Sequence, residues 1–328
     1  MEAGHWKRAR AIVEPRAAHD ARDARAACQL ARVKLAFGDL DGALEAARRA
    51  VALEDGNSSY HYQLAAVYEE MAAKASIFTA AGYAVKLKLE LEAALKRDPG
   101  NRDALDDLML YSFEAPGVLG GDKEKARALA AKLAQLDQLR GRLAQAELAE
   151  AAKDFGKQEE WLLQAVQTDP KNYEAQTTLA GFYAQAVHRK LQGAGQHARQ
   201  AVQLDSSRAK GYRILAGVLA LDQRWGELEA TLAAAQENVP DDLAPYFQAA
   251  NAILDSGVEL KRGESYARTY LAQQPEGEEP DAAHAHRLLG LILEKEGRKR
   301  EAAAELETAL SINPRFPQAR DDLRRLQK

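Results

Sequence analysis

The sequence holds one cysteine, Cys28, in 328 residues, so it can form neither an intramolecular disulfide nor a cysteine-built zinc cluster. No charge of one sign dominates: 45 basic side chains face 49 acidic ones, a net charge of -4. That balance lacks the basic surface that holds nucleic acid. Long apolar runs are missing as well. The uncharged stretch from Ala75 to Val85, between Lys74 and Lys86, is too short for the about 20 residues that a spanning helix needs. The opening MEAGHWKRAR has no apolar core and is not an export signal as it stands. No HExxH, GxSxG, GxGxxG or Ser–His–Asp arrangement occurs, and alternation of the strand type is absent.

What is there is repetition. The segments ALKRDPGN (94–101), AVQTDPKN (165–172) and ALSINPRF (309–316) share a small residue, an apolar one and a proline at fixed offsets. Weaker copies are AVALEDGN (50–57) and AVQLDSSR (201–208). A second pattern precedes them, clearest in LARVKLAFGDLDGALEAARRAVAL (30–53) and LGLILEKEGRKREAAAELETALSI (289–312). Both read apolar–small, then a glycine turn, then alanines at helical steps.

This pattern resembles the tetratricopeptide repeat, a helix–turn–helix unit of 34 residues. Residues 24–57 carry its marks at Leu30, Ala31, Gly38, Ala43 and Ala50. Residues 283–316 do so at Leu289, Gly290, Gly297, Ala302, Ala309 and Pro314, and residues 209–242 at Leu215, Ala216, Trp225, Ala235 and Pro240. Eight units follow, at 24–57, 58–101, 102–138, 139–172, 173–208, 209–242, 243–282 and 283–316. The resemblance implies an all-α fold, a right-handed superhelical α-solenoid treated as one domain over 1–328. Small residues in the first helices (Ala31, Ala65, Ala180, Ala216, Gly290) let helices approach closely; a leucine there would overpack at about 1–3 kcal/mol. Each unit buries its apolar face only against its neighbours.

The ends differ. Residues 317–328 read as a capping helix with Leu323 and Leu326 inward and Asp321, Arg324, Arg325 and Lys328 outward. Residues 1–23 line up with the second half of a repeat, Trp6 marking the start of its helix. Either this is a native half-repeat or an earlier segment has been removed. The resemblance to bacterial, often exported, proteins leaves a periplasmic or a cytoplasmic location open.

Two repeats carry extra residues. Pro99 lies 44 residues after its counterpart Asp55, which puts about ten additional residues near 69–82. The third repeat has a smaller insertion at 114–122, which contains GVLGGD. Both fall at the turn between first and second helix, so they are expected to touch along one edge. The glycine run is no phosphate loop: its spacing is wrong, Glu124 follows the lysine, and no strand precedes it. Asp122 is instead the expected N-cap of a helix that starts at Lys123, where its carboxylate would repel an anion. Ile77, Phe78, Tyr83 and Val85 either extend the core or, with Phe78, Tyr83, Val118 and Leu119 together, form an apolar partner-binding edge.

Other candidates read as ordinary structure. His284 and His286 are two apart and point away from each other on a helix, so they cannot chelate one metal, and His5, His19, His61, His188 and His197 show no ligand spacing. Cys28 is a small packed residue without a base, and Asp106 with Asp107 reads as an acid pair on a solvated helix. The family uses the concave face of its first helices to hold partners. Carried onto this chain, those places give Arg25, Arg32, Tyr62, Asp106, Phe113, Arg213, Phe247, Asn251 and Arg287. The Lys–Asn arrangement with which one variant grips terminal carboxylates does not occur. The expectation is a non-catalytic scaffold with no cofactor and no metal. It would bind a peptide or a partner helix, not nucleic acid, as a monomer or weak homo-oligomer. A self-associating architectural protein and a ligand sensor at the inserted edge are the alternatives.

Overall fold

The computed structural model describes residues 4–185, 187–277 and 280–327. Among them are eighteen α-helices and no strand. The first, α1 (Trp6–His19), is followed by eight helix pairs. These are α2 (Ala24–Ala36) with α3 (Leu40–Leu53), α4 (Ser58–Lys74) with α5 (Ile77–Arg97), α6 (Arg102–Glu114) with α7 (Lys123–Leu136), and α8 (Gln138–Ala151) with α9 (Phe155–Thr168). Then come α10 (Tyr173–Ala184) with α11 (Leu191–Leu204), α12 (Ala209–Leu221) with α13 (Trp225–Asn238), α14 (Ala244–Ser256) with α15 (Leu260–Leu271), and α16 (Ala282–Lys295) with α17 (Lys299–Ile312). The last helix is α18 (Pro317–Leu326). The first helices of the pairs start within one residue of positions 24, 58, 102, 139, 173, 209, 243 and 283.

The chain divides into two compact units, one spanning residues 8–170 and the other residues 171–328 with the first seven. Each has its own core. In the first, Leu64, Leu91, Leu105, Leu108 and Leu133 are buried among fully enclosed alanines such as Ala31, Ala65 and Ala130. In the second, Leu219, Leu228, Leu232, Ile253, Leu289 and Ile292 play that part around Ala216, Ala249 and Ala267. The small places of the repeat are where helices meet, and Ala31, Ala65, Ala180 and Ala216 are wholly buried.

Caps set the helix starts. Asp23, Asp39, Asn57, Asn101, Asp122, Asp137, Asp154, Asn172 and Asp281 each accept a hydrogen bond from a backbone N–H in the first turn of the following helix. The turn inside the pair has a fixed backbone demand. Gly38 (φ 73°), Lys153 (φ 58°), Gln223 (φ 56°) and Gly297 (φ 81°) occupy one repeat place and are all left-handed. Glycine accepts that conformation freely; Lys153 and Gln223 adopt it against their Cβ atoms.

The ten extra residues of the second repeat do not widen a turn, which corrects the sequence expectation. They lengthen both helices: α4 has 17 residues against 13 in α2, and α5 has 21 against 14 in α3. Only Ala75 and Ser76 separate them. The segment is helix-compatible throughout and contains no proline, so the cheapest way to hold it is to continue the backbone ladder. In the third repeat the insertion is a turn. Gly117–Leu119 form a short 3-10 turn against α5, the Tyr111 hydroxyl donates to the Leu119 carbonyl at 2.7 Å, and Asp122 caps α7.

The C-terminal helix is less solvent-facing than its sequence suggests. Asp322 is buried and accepts from Arg287 and Arg325, each at 2.7 Å, while Arg325 also reaches Glu294. Arg325 is therefore a tether; Lys328 lies outside the described residues.

Candidate functional site

In the 171–328 unit the first helices α10, α12, α14 and α16 lie side by side in sequence order. Between α12, α14 and α16 their shared face opens into a cavity of about 340 Å³ lined by Arg213, Ala244, Phe247, Gln248, Pro280 and His284. Two residues singled out from the sequence, Arg213 and Phe247, are thus brought together.

Local chemistry holds these side chains in place. Asp242 accepts from the Ala244 backbone N–H at 2.9 Å and sets the start of α14. Phe247 packs on Tyr270, ring centroids 5.4 Å apart, and the Tyr270 hydroxyl donates to the Pro280 carbonyl. That bond pins the segment before α16 against the cavity. Asp281 then caps α16, accepting from the His284 backbone N–H at 2.7 Å and lying 2.8 Å from the His284 ring Nδ1. Gly217 makes room across the helix pair: a Cβ there would lie 3.0 Å from Gln248 Cγ, so α12 and α14 pack closely at this point.

Three basic residues, Arg208, Lys210 and Arg213, stand near one another on this face. Arg208 stacks over the Tyr173 ring at 4.0 Å. Lys210 is solvent-accessible, yet the protein around it desolvates the ammonium and holds its pKa below the usual lysine range; Glu174 opposes this, and Arg208 and Arg213 add to it. Arg213 is exposed. Arg287 is already engaged by Asp322 and lies 5.9 Å from the Phe316 ring, and Asn251 is half-buried farther along α14.

In the 8–170 unit the corresponding face has the opposite sign. The Tyr62 hydroxyl on α4 hydrogen-bonds Asp107 on α6. Burial, then the negative charges of Glu69 and Asp106, push the Asp107 carboxyl up to about 7; the bond to Tyr62 pulls it down, and Asp103 adds a smaller upward push. Glu69 is raised too, by desolvation first and then by Glu70 and Glu114. Asp107 is therefore not the ordinary solvated acid read from the sequence. Asp106 is half-buried beside it, and Phe113 lies under the Lys123 ammonium at 5.0 Å. Arg25 is exposed on α2 and Arg32 is half-buried near Cys28, whose thiol burial pushes up to about 11.

The inserted edge is not one gathered platform. Phe78 and Val118 are each 92% exposed. Tyr83 instead packs on Tyr68, with centroids 6.4 Å apart and the Lys86 ammonium 5.4 Å from its ring, and Leu119 is half-buried. Val85 is exposed, and the Ile77 side chain lies outside the described residues. Three of the histidines are paired within the fold: His61 with Glu90 at 2.6 Å, His197 with Gln176 at 2.7 Å, and His286 with Glu305 at 2.7 Å.

Sequence reasoning passed over Lys210 and Gln248 and read Asp107 and His284 as ordinary structure. All four stand at repeat places that the family turns toward its partner, next to residues that were chosen. The repeat register alone could have found them.

A family model described as tetratricopeptide repeat matches residues 283–316. No curated protein matches the chain by sequence. Among solved structures, a tetratricopeptide repeat protein from Parabacteroides merdae is 17% identical, with 80% of this chain and 99% of that one covered and a TM-score of 0.50. Yeast Tom70 is 13% identical, with coverages of 93% and 81% and a TM-score of 0.53. An IFIT1 monomeric mutant with m7Gppp-AAAA is 14% identical, with coverages of 92% and 62% and a TM-score of 0.56. At such identities the likeness speaks for the fold. One repeat, residues 283–316, is thus matched by sequence, and the fold of the chain is that of tetratricopeptide-repeat structures.

Proposed function

We propose that this protein is a non-catalytic interaction scaffold that holds a peptide or partner helix on the first-helix face of residues 171–328. The observation that carries this reading is the cavity between α12, α14 and α16, where a cation, an aromatic wall and an amide converge. Such convergence of a few polar groups on an apolar wall suits recognition of an extended segment. The face around Tyr62, Asp106 and Phe113 offers a second stretch of the same kind. The exposed Phe78 and Val118 add a further contact at the inserted edge. A capped RNA accompanies the IFIT1 neighbour, but a net charge of -4 favours a protein ligand here.

The test is site-specific photo-crosslinking in lysate of the source organism. A photoreactive amino acid replaces Phe247, Tyr62 or Phe78 in turn. Adducts at Phe247 that disappear when Arg213→Ala is added support the reading. Unchanged partner affinity in Tyr62→Ala, Phe113→Ala and Phe247→Ala would sink it. A partner lost only when both insertions are trimmed would move recognition to the inserted edge.

A further inference from the structure

The cavity beside α12 has a chemistry that narrows its occupant. Arg213 lines it, is exposed, and forms no ion pair with any described residue. Lys210 lies near enough to be depressed by the Arg213 charge. The same cavity is lined by the apolar Phe247, Ala244 and Pro280 and by Gln248 and His284. Arg287, by contrast, has its carboxylate already in Asp322. Among the described residues Arg213 thus forms no ion pair, and it is set against a surface that favours an apolar neighbour.

We propose that this cavity receives an acidic side chain of an extended peptide, its carboxylate paired with Arg213 and an adjacent apolar side chain lying on Phe247 and Pro280. The proposal rests on the protein-binding reading above and names the chemistry of that partner. A planar guanidinium matches one carboxylate with two parallel hydrogen bonds, which a lysine cannot do. A polyanion such as RNA fits less well. Its charge at every nucleotide would meet Glu174, Asp242 and Asp281 on the same face, whereas a peptide brings one carboxylate to Arg213.

The test is selection of a phage-displayed random peptide library on the full chain, followed by fluorescence anisotropy with the best labelled peptide. The peptide is compared with its acid-to-amide isostere, against wild type, Arg213→Lys, Arg213→Glu and Phe247→Ala. Circular dichroism checks that each variant keeps its fold. The selected consensus is expected to hold an Asp or Glu beside a large apolar residue. Arg213→Glu should weaken binding by about ten- to a hundredfold, Arg213→Lys by less, and added salt should weaken it further. The amide peptide should lose most of its affinity for wild type and little more on Arg213→Glu, as a direct pair requires. A consensus without an acid, or an acidic peptide indifferent to Arg213→Glu, overturns the acid assignment; continued sensitivity to Phe247→Ala would leave the groove reading standing. Peptides indifferent to both substitutions, or no selected peptide at all, count against both. Displacement of the peptide by polyuridylate at lower concentration than by unlabelled peptide would overturn the proposal in favour of nucleic acid.

Discussion

Replacing Asp107 by asparagine should make the protein more stable at neutral pH and not at acid pH. The carboxyl sits among Tyr62 and Glu69 from α4 and Asp103 and Asp106 from its own helix, and it is held near 7 instead of its ordinary 3.8. Between those two values the folded chain keeps a proton that the unfolded chain has released. Stability contributed at this site is therefore present at low pH and is lost as pH rises toward about 7. A difference of that size corresponds to at most about 4 kcal/mol, and partial solvent contact brings the expected effect to about 2–3 kcal/mol. In a unit of this length that is on the order of 5–10 °C in melting temperature. The assay is thermal melting followed by far-ultraviolet circular dichroism at about pH 4 and about pH 8. Asp107→Asn should melt higher than wild type at the upper pH, and the gap should close at the lower one. Tyr62→Phe removes the bond that favours the ionised form, so it should make the decline of stability with pH steeper. If Asp107→Asn melts no higher than wild type at the upper pH, or if the gap persists in acid, the reasoning about this face is wrong.

Lys153→Gly and Gln223→Gly should each stabilise the protein slightly, by up to about 1 kcal/mol, while Gly297→Ala should destabilise it by about 1–2 kcal/mol; urea denaturation of the three variants is the check. Asp122→Ala should cost about 1 kcal/mol in the same assay, because the carboxylate accepts from the Glu124 and Lys125 backbone N–H groups at 2.9 and 3.1 Å. Cys28, its thiol pushed up to about 11 from 9.0, should react with iodoacetamide about a hundredfold more slowly in the native protein than in urea, with mass spectrometry as the readout.

The helix pairs were legible because the repeat writes its packing into residue size. Ala31, Ala65, Ala180 and Ala216 had to be small for helices to meet, and each is wholly enclosed. The capping role of Asp122 was legible for a related reason: a carboxylate just before a helix-forming run has one strong local use. The insertion in the second repeat was misread because length alone does not say whether extra residues loop out or extend a helix. Residues 69–86 are good helix formers and extended α4 and α5, which left Phe78 and Tyr83 on a helix, facing solvent and Tyr68 respectively.

The candidate site was legible as a set of places and not as a set of partnerships. Arg213 and Arg287 occupy equivalent repeat places and looked alike in sequence. The fold separates them, since Asp322, supplied by the capping helix 35 residues later, meets Arg287, and among the described residues no carboxylate forms an ion pair with Arg213. A charge engaged in this way has already exchanged its water for a fixed counter-ion, and displacing that ion for a ligand returns little. The unengaged arginine is the one from which a ligand can gain. The same logic ranks the aromatics. Tyr62 is tied to Asp107 and Phe113 is covered by Lys123, whereas Phe247 packs on Tyr270 and still lines the cavity. Within a repeat fold, where every unit offers the same places, a ligand gains most at those that the neighbouring units leave unsatisfied. For this chain that criterion selects Arg213 with Phe247 ahead of the other seven groove residues.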